Sequence, residues 1–150
     1  GSSNYVWTTS TDYGYYYTWY STYTGNTDIN NTDPCSKLNS TTYGTGWRTP
    51  SLNELTKLSR CTNKVLTNGG MWFMNSSMGL FLPAAGDRSS GVGSGTTATS
   101  SAGTEGSYWT SVADGSYGAY CLRIASGNPR ILSIDNSRGV SVRCAKGTKQ

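Results

Sequence analysis

Four cysteines, Cys35, Cys61, Cys121 and Cys144, are the side chains here with the most chemistry in them, and no histidine accompanies them. A thiolate attacks carbonyls or holds soft metals, but either use needs help: an adjacent base for attack, several closely spaced donors for a metal. No Cys-x-x-Cys pair occurs, and the missing histidine removes both the usual general base and a principal metal ligand. The eight acidic residues are dispersed, and the chain has neither a Gly-x-Ser-x-Gly elbow nor a phosphate-binding Gly-x-x-x-x-Gly-Lys loop. Lys57 and Lys64 lack the partner that a Ser-Lys arrangement would need and read as solvated side chains. The expectation is therefore no enzyme, no metal and no cofactor. Disulfides are the expected use of the cysteines; four allow three pairings, between which spacing does not choose, and buried thiols are the other role open to one or two of them.

The elements that would position these residues follow from composition and period. A chain of 150 residues builds one substantial core, so a single domain is expected. Its 19 glycines, 11 tyrosines and 13% charged residues favour many short strands joined by turns. The clearest helix start is "GWRTPSLNELTKLSR": Ser51 and Glu54 form a capping box, Pro50 blocks an earlier start, and Leu52, Leu55 and Leu58 share a face. Trp47 is expected to pack beneath that helix.

Strands are expected on both sides of it. Tyr5 to Tyr23 alternates aromatic with small polar residues, as a hairpin or meander would. "GGMWFMNSSMGLFLP" reads as two short apolar strands about a turn. The following "GDRSSGVGSGTTATSSAGTEGS" has almost no large apolar side chain and reads as a long loop. In "AYCLRIA", Tyr120, Leu122 and Ile124 are expected inward, with Ala119, Cys121, Arg123 and Ala125 outward. In "GVSVRC", Val140, Val142 and Cys144 are expected inward and Ser141 and Arg143 outward, with "RILSIDNSR" a strand leading to an exposed tip. Trp47, Leu82, Trp109, Tyr120, Leu122 and Val142 are expected to share one core.

The net charge of +4 is modest and the arginines are scattered, which argues against a nucleic-acid partner. No apolar run reaches the roughly 20 residues needed to span a bilayer. Gly1-Ser2-Ser3 reads as a cloning remnant, leaving 4–150 as the domain.

Taken in order, "DPC", "GWRTPSLNEL", "LFLPAAGDR", "GSYWTS", "AYCLRI" and "GVSVRCAKG" resemble a Bacteroidetes surface-domain family of the "Fibrobacter succinogenes major" type, related to the C-type lectin fold. The resemblance covers some 110 residues from Asp33 onward. It implies an α+β, C-type lectin-like fold of short antiparallel strands, one or two short helices and long loops. "LFLPAAGDR" would be its central strand and the start of its long loop, with Trp109 as core anchor. Within this group, gut-bacterial and phage sequences are similar to the variable proteins of diversity-generating retroelements, whose C-terminal codons are randomised at adenines. That likeness places a variable region at about 107–144. It implies a diversified ligand-binding surface at Val112, Asp114, Ser116, Tyr117, Cys121, Arg123, Ala125, Arg130, Leu132, Asp135, Asn136 and Arg138. Related sequences also imply that Cys35 pairs with Cys144.

The function so implied is ligand binding, of receptor or adhesin type, by a monomer displayed outside the cell on a bacterial surface or phage particle. Its partner would be a protein or other cell-surface ligand. The chain lacks the Glu-Pro-Asn and Trp-Asn-Asp motifs by which lectin-like domains hold calcium and sugar, although Asn128-Pro129 echoes part of one. The alternative is a fixed adhesin or structural module of the same family. A catalyst related to formylglycine-generating enzymes stands further off, since its paired active-site cysteines are not evident.

Overall fold

The computed structural model describes residues 16, 17, 19, 33–74, 79–88, 101–126 and 128–150. A 3-10 helix, Pro34–Leu38, comes first, followed by β1 (Trp47–Arg48), α1 (Leu52–Ser59), β2 (Lys64–Thr67), β3 (Gly70–Met74) and β4 (Gly79–Pro83). The remaining strands are β5 (Gly106–Asp114), β6 (Gly118–Ile124), β7 (Arg130–Asp135) and β8 (Ala145–Lys146). Among the described residues they form three antiparallel sheets, β1–β8, β2–β3–β4 and β5–β6–β7. The architecture is α+β, mostly antiparallel strands with one α-helix among the described residues.

The helix begins where the capping box puts it. Ser51 Oγ accepts from the Glu54 amide at 3.1 Å, and Glu54 returns a carboxylate oxygen to the Ser51 amide at 2.8 Å. Both Glu54 oxygens also accept from Arg48, at 2.7 and 2.6 Å, which pulls the Glu54 carboxyl down to about 2. Arg48 in turn donates to the carbonyls of Gly147 and Thr148, tying the C-terminal segment to the helix start. A carboxyl lowered by folding stabilises the fold above its ordinary range near 4.3 and loses that contribution as pH falls toward 2. With both side chains partly solvated, screening reduces the gain to about 1 kcal/mol. Glu54→Gln should therefore lower the urea midpoint at pH 6 and match wild type near pH 2.5, a convergence that equilibrium melts at the two pH values would read.

The organising feature is that β5–β6–β7 is covered on both faces. Tyr108, Leu122 and Ile131 are partnered across the sheet and point one way; Trp109, Cys121 and Leu132 are partnered and point the other. The first row packs with Leu55 and Leu58 of α1 and with Met71, Phe73 and Leu82 of the second sheet. The second row, with Ala119, packs against Tyr17, Trp19 and Val140. The Trp109 indole donates to the Tyr17 carbonyl at 2.7 Å and the Trp19 indole to the Thr110 carbonyl at 2.8 Å, so two reciprocal ring donors fasten that cover to β5.

Strand β5 approaches the end of β4 so closely that a Cβ on Gly106 would lie 2.7 Å from the Pro83 carbonyl oxygen, which accounts for glycine there. A parallel bridge joins Gly86 to Gly106. The "LFLPAAGDR" strand is thus an edge of its own sheet, not a central strand. The start of the long loop is anchored too, because buried Asp87 pairs with Arg138 at 2.7 Å. Most of that loop, and of the expected Tyr5–Tyr23 meander, lies outside the described residues.

Cys35 and Cys144 form a disulfide. Asp33 readies one half: its carboxylate caps the 3-10 helix through the Cys35 amide at 2.9 Å and accepts from the Thr49 amide and hydroxyl, both at 2.8 Å. Cys61 and Cys121 are free thiols.

The single expected core is two cores separated by the sheet. Trp109 belongs to one, Leu82 and Leu122 to the other. Trp47, Tyr120 and Val142 are half-buried. Trp47 sits in the β1–β8 ribbon, its indole donating to the Tyr43 carbonyl at 3.0 Å. Ser141, expected outward, is fully buried: residues 139–141 stitch the cover together by bridges from Gly139 to Arg88, Val140 to Tyr17 and Ser141 to Tyr108.

Candidate functional site

The β5–β6 hairpin and the start of the turn after β7 bring exposed Val112, Asp114, Tyr117 and Asp135 together at one end of the sheet. Its tip, Gly115 to Tyr117, follows Asp114, and Gly115 adopts φ +69° with open space around it. A left-handed residue there lets the chain reverse within three residues. Tyr117 follows and is 84% exposed, and Val112 before the turn is 37% exposed.

Beyond the reach of α1, the face of the sheet that carries Leu122 and Ile131 continues as Tyr120, Ser133, Asp114 and Asp135. Tyr120 donates its hydroxyl to Asp114 Oδ1 at 3.0 Å. Hydrogen bonds from Ser133 and then Tyr120 hold the Asp114 carboxyl below its ordinary value, and the same carboxylate raises the Tyr120 phenol. Asp135 Oδ1 accepts from the Ser137 amide at 2.9 Å and hydroxyl at 2.7 Å, which holds that carboxyl low as well. The result is a small patch with two ionised carboxylates, two phenols and one exposed valine.

Support comes from beneath. Asn136 is only 6% exposed; its amide donates to the Tyr117 carbonyl at 2.9 Å, its side-chain Nδ2 to the Ser116 carbonyl at 3.1 Å, and its own carbonyl accepts from the Trp19 amide at 2.8 Å. One buried asparagine therefore holds the hairpin tip to the turn after β7 and to the aromatic cover.

Searches of family models, curated proteins and solved structures return no match to this chain. The site must be judged on its own geometry.

The twelve positions expected to vary do not share one surface. Val112, Asp114, Ser116, Tyr117, Arg130 and Asp135 are exposed. Ala125, Arg123 and Arg138 are half-buried, and both arginines are engaged, Arg123 with Glu105 and Arg138 with Asp87. The other three pack into the fold. Cys121 is fully buried among Trp109 and Ala119, and desolvation pushes its thiol up to about 12, so it is an inert core residue. Leu132 packs partly buried on the same cluster, and Asn136 is the buried tie just described.

Tyr120, expected in the core, belongs to the patch, and Ser133 was not singled out. The signal that would have found them is the smallness of Ala119 and Cys121: residues that size on one face suit a closely packed cover and leave the large amphipathic tyrosine for the open end of the other.

Among the described residues no group of three His, Cys, Asp or Glu side chains could hold a metal ion, and no helix is long and apolar enough to cross a membrane. The tip offers acceptors, rings and shape rather than a nucleophile beside a base.

Proposed function

We propose that this chain is a ligand-binding domain on a C-type lectin-like scaffold, similar to the variable proteins of diversity-generating retroelements, that recognises a protein or cell-surface ligand without turnover. The observation that carries the reading is the split between tip and floor. Val112, Ser116 and Tyr117 stand exposed, while buried Asn136 bonds the Ser116 and Tyr117 carbonyls and Ala119 and Cys121 pack into the opposite face of β6, so the displayed side chains can change while the packed ones stay. The recognition surface is then Val112, Asp114, Ser116, Tyr117, Tyr120 and Asp135, with Arg130 beyond it. Exposed tyrosines suit such a surface, since they supply large amphipathic contact area at low entropic cost. The Cys35–Cys144 disulfide suits an oxidising compartment, and the proposal puts the domain outside the cell, on a bacterial surface or a phage particle.

A fixed adhesin or structural module of the same family is the second reading. It is favoured by the ion pairs Arg123–Glu105 and Arg138–Asp87, which bind two of the expected variable positions to the remainder of the fold.

The test combines Val112→Ala, Ser116→Ala, Tyr117→Ala and Arg130→Ala in one chain. Each is a surface change expected to move stability by less than about 0.5 kcal/mol, so the variant should melt cooperatively close to wild type. On an array of bacterial surface proteins and glycans, it should lose the partner that wild type captures. Retention of full binding by the folded variant refutes the tip as the recognition surface. A near-copy of the 3′ end of the gene, differing at adenines and lying beside a reverse transcriptase, separates the diversified from the fixed reading.

A further inference from the structure

A concave pocket of about 530 Å³ opens between the β1–β8 ribbon, α1 and the end of β4, and it shares no residue with the hairpin-tip surface. That volume lies within the roughly 300–1,000 Å³ of small-molecule sites. Its walls are apolar and aromatic: Leu38, Tyr43, Trp47, Leu80 and Val142 among them. Two charged side chains also line it, and they differ in kind. Glu54 is already satisfied, with both oxygens taken by Arg48 and one shared with the Ser51 amide. Arg143 is half-buried and has no hydrogen-bond or ion-pair partner among the described residues. A second cation stands close by, Lys146, whose Nζ lies 5.7 Å from the Trp47 ring centre and donates to the Tyr43 carbonyl at 3.0 Å.

The electrostatic balance of the pocket follows. Arg48 and Glu54 cancel, which leaves Arg143 as the wall's net charge, with Lys146 adding positive potential from outside the lining. A guanidinium with no partner among the described residues, in an apolar surround, favours a carboxylate, because its planar fork matches the two oxygens in charge-assisted hydrogen bonds. From this charge complementarity we infer that the pocket binds a small aromatic monocarboxylate, its ring against Trp47, Tyr43 and Leu80 and its carboxylate on Arg143.

The test titrates the full chain with 1-naphthylacetate and with its uncharged isostere 1-naphthylacetamide, by calorimetry and by following the Trp47 indole N–H resonance. The expected result is a preference for the acid of at least about tenfold, which Arg143→Gln reduces to near unity and Arg143→Lys partly keeps. Thermal melts confirm that the variants are folded, and the acid–amide comparison on wild type needs no variant at all. Equal affinity for acid and amide, no measurable binding of either at millimolar concentration, acid binding that leaves the Trp47 resonance unmoved, or a preference that survives in folded Arg143→Gln would each overturn the assignment.

Discussion

Replacing Trp109 with alanine should lower stability by about 3–5 kcal/mol, the largest loss expected from one substitution in this chain. The indole is fully buried in the cluster of Tyr17, Trp19, Ala119, Cys121 and Val140, and its N–H donates to the Tyr17 carbonyl. Truncation removes the ring from between β6 and the aromatic cover and leaves a void lined by side chains on two elements that cannot collapse together. Trp109→Phe should cost less, since a six-membered ring still fills much of the site while the donor and the rest of the indole go. Urea melts of the two variants give the comparison; an alanine variant with the wild-type midpoint would show that Trp109 is not the anchor of this side of the sheet.

The second large effect is expected from the disulfide. Cys35 and Cys144 are 109 residues apart, so the link closes a long loop and withdraws its closure entropy from the unfolded state. The loop-entropy account gives close to 5 kcal/mol for a closed loop of that size, and measured values commonly fall to about 2–4. Cys35→Ala with Cys144→Ala should thus lose about 3–4 kcal/mol, and reduction with dithiothreitol should reproduce the loss in the unmutated chain. Identical midpoints for oxidised and reduced protein would refute the effect.

The helix was legible from a few letters because its start is decided locally: Ser51, Glu54 and Pro50 settle the cap whatever the rest of the chain does. The strands of "GGMWFM" and "LFLP" were legible for a similar reason, being short apolar runs separated by the turn-forming residues "NSSM" in the sequence. The facing of β6 was not. Period 2 shows that Tyr120, Leu122 and Ile124 share a side and that Ala119, Cys121 and Arg123 share the other, yet it is silent on which side is covered. Here both are, and the cover over Cys121 comes from Tyr17, Trp19 and Val140, remote in sequence. The half-exposed Tyr120 lies past the end of that logic, where α1 no longer reaches. The short β2 strand, Lys64–Thr67, went unread because its side chains are mostly exposed and its pattern carries no burial signal.

The candidate site was half legible. Tyr117, Asp114 and Val112 were placed at the surface through the family resemblance. Asn136 was put there too, although its work is to hold the tip from below. An asparagine in a turn looks the same in sequence whether it faces water or closes three hydrogen bonds.

The disulfide also sets how the domain responds to tension. A pull transmitted along the backbone enters the covalent ring at Cys35 and leaves it at Cys144, crossing two sulfur atoms instead of the 109-residue span between them. Both three-stranded sheets and the helix lie inside that bypass and carry no load. The mechanically weak part is the aromatic cover, since Tyr17 and Trp19 precede Cys35 and are held by hydrogen bonds and packing alone. Under force this cover should peel from the sheet at low load, baring Trp109, while the β5–β6 hairpin stays inside the bypass and remains folded.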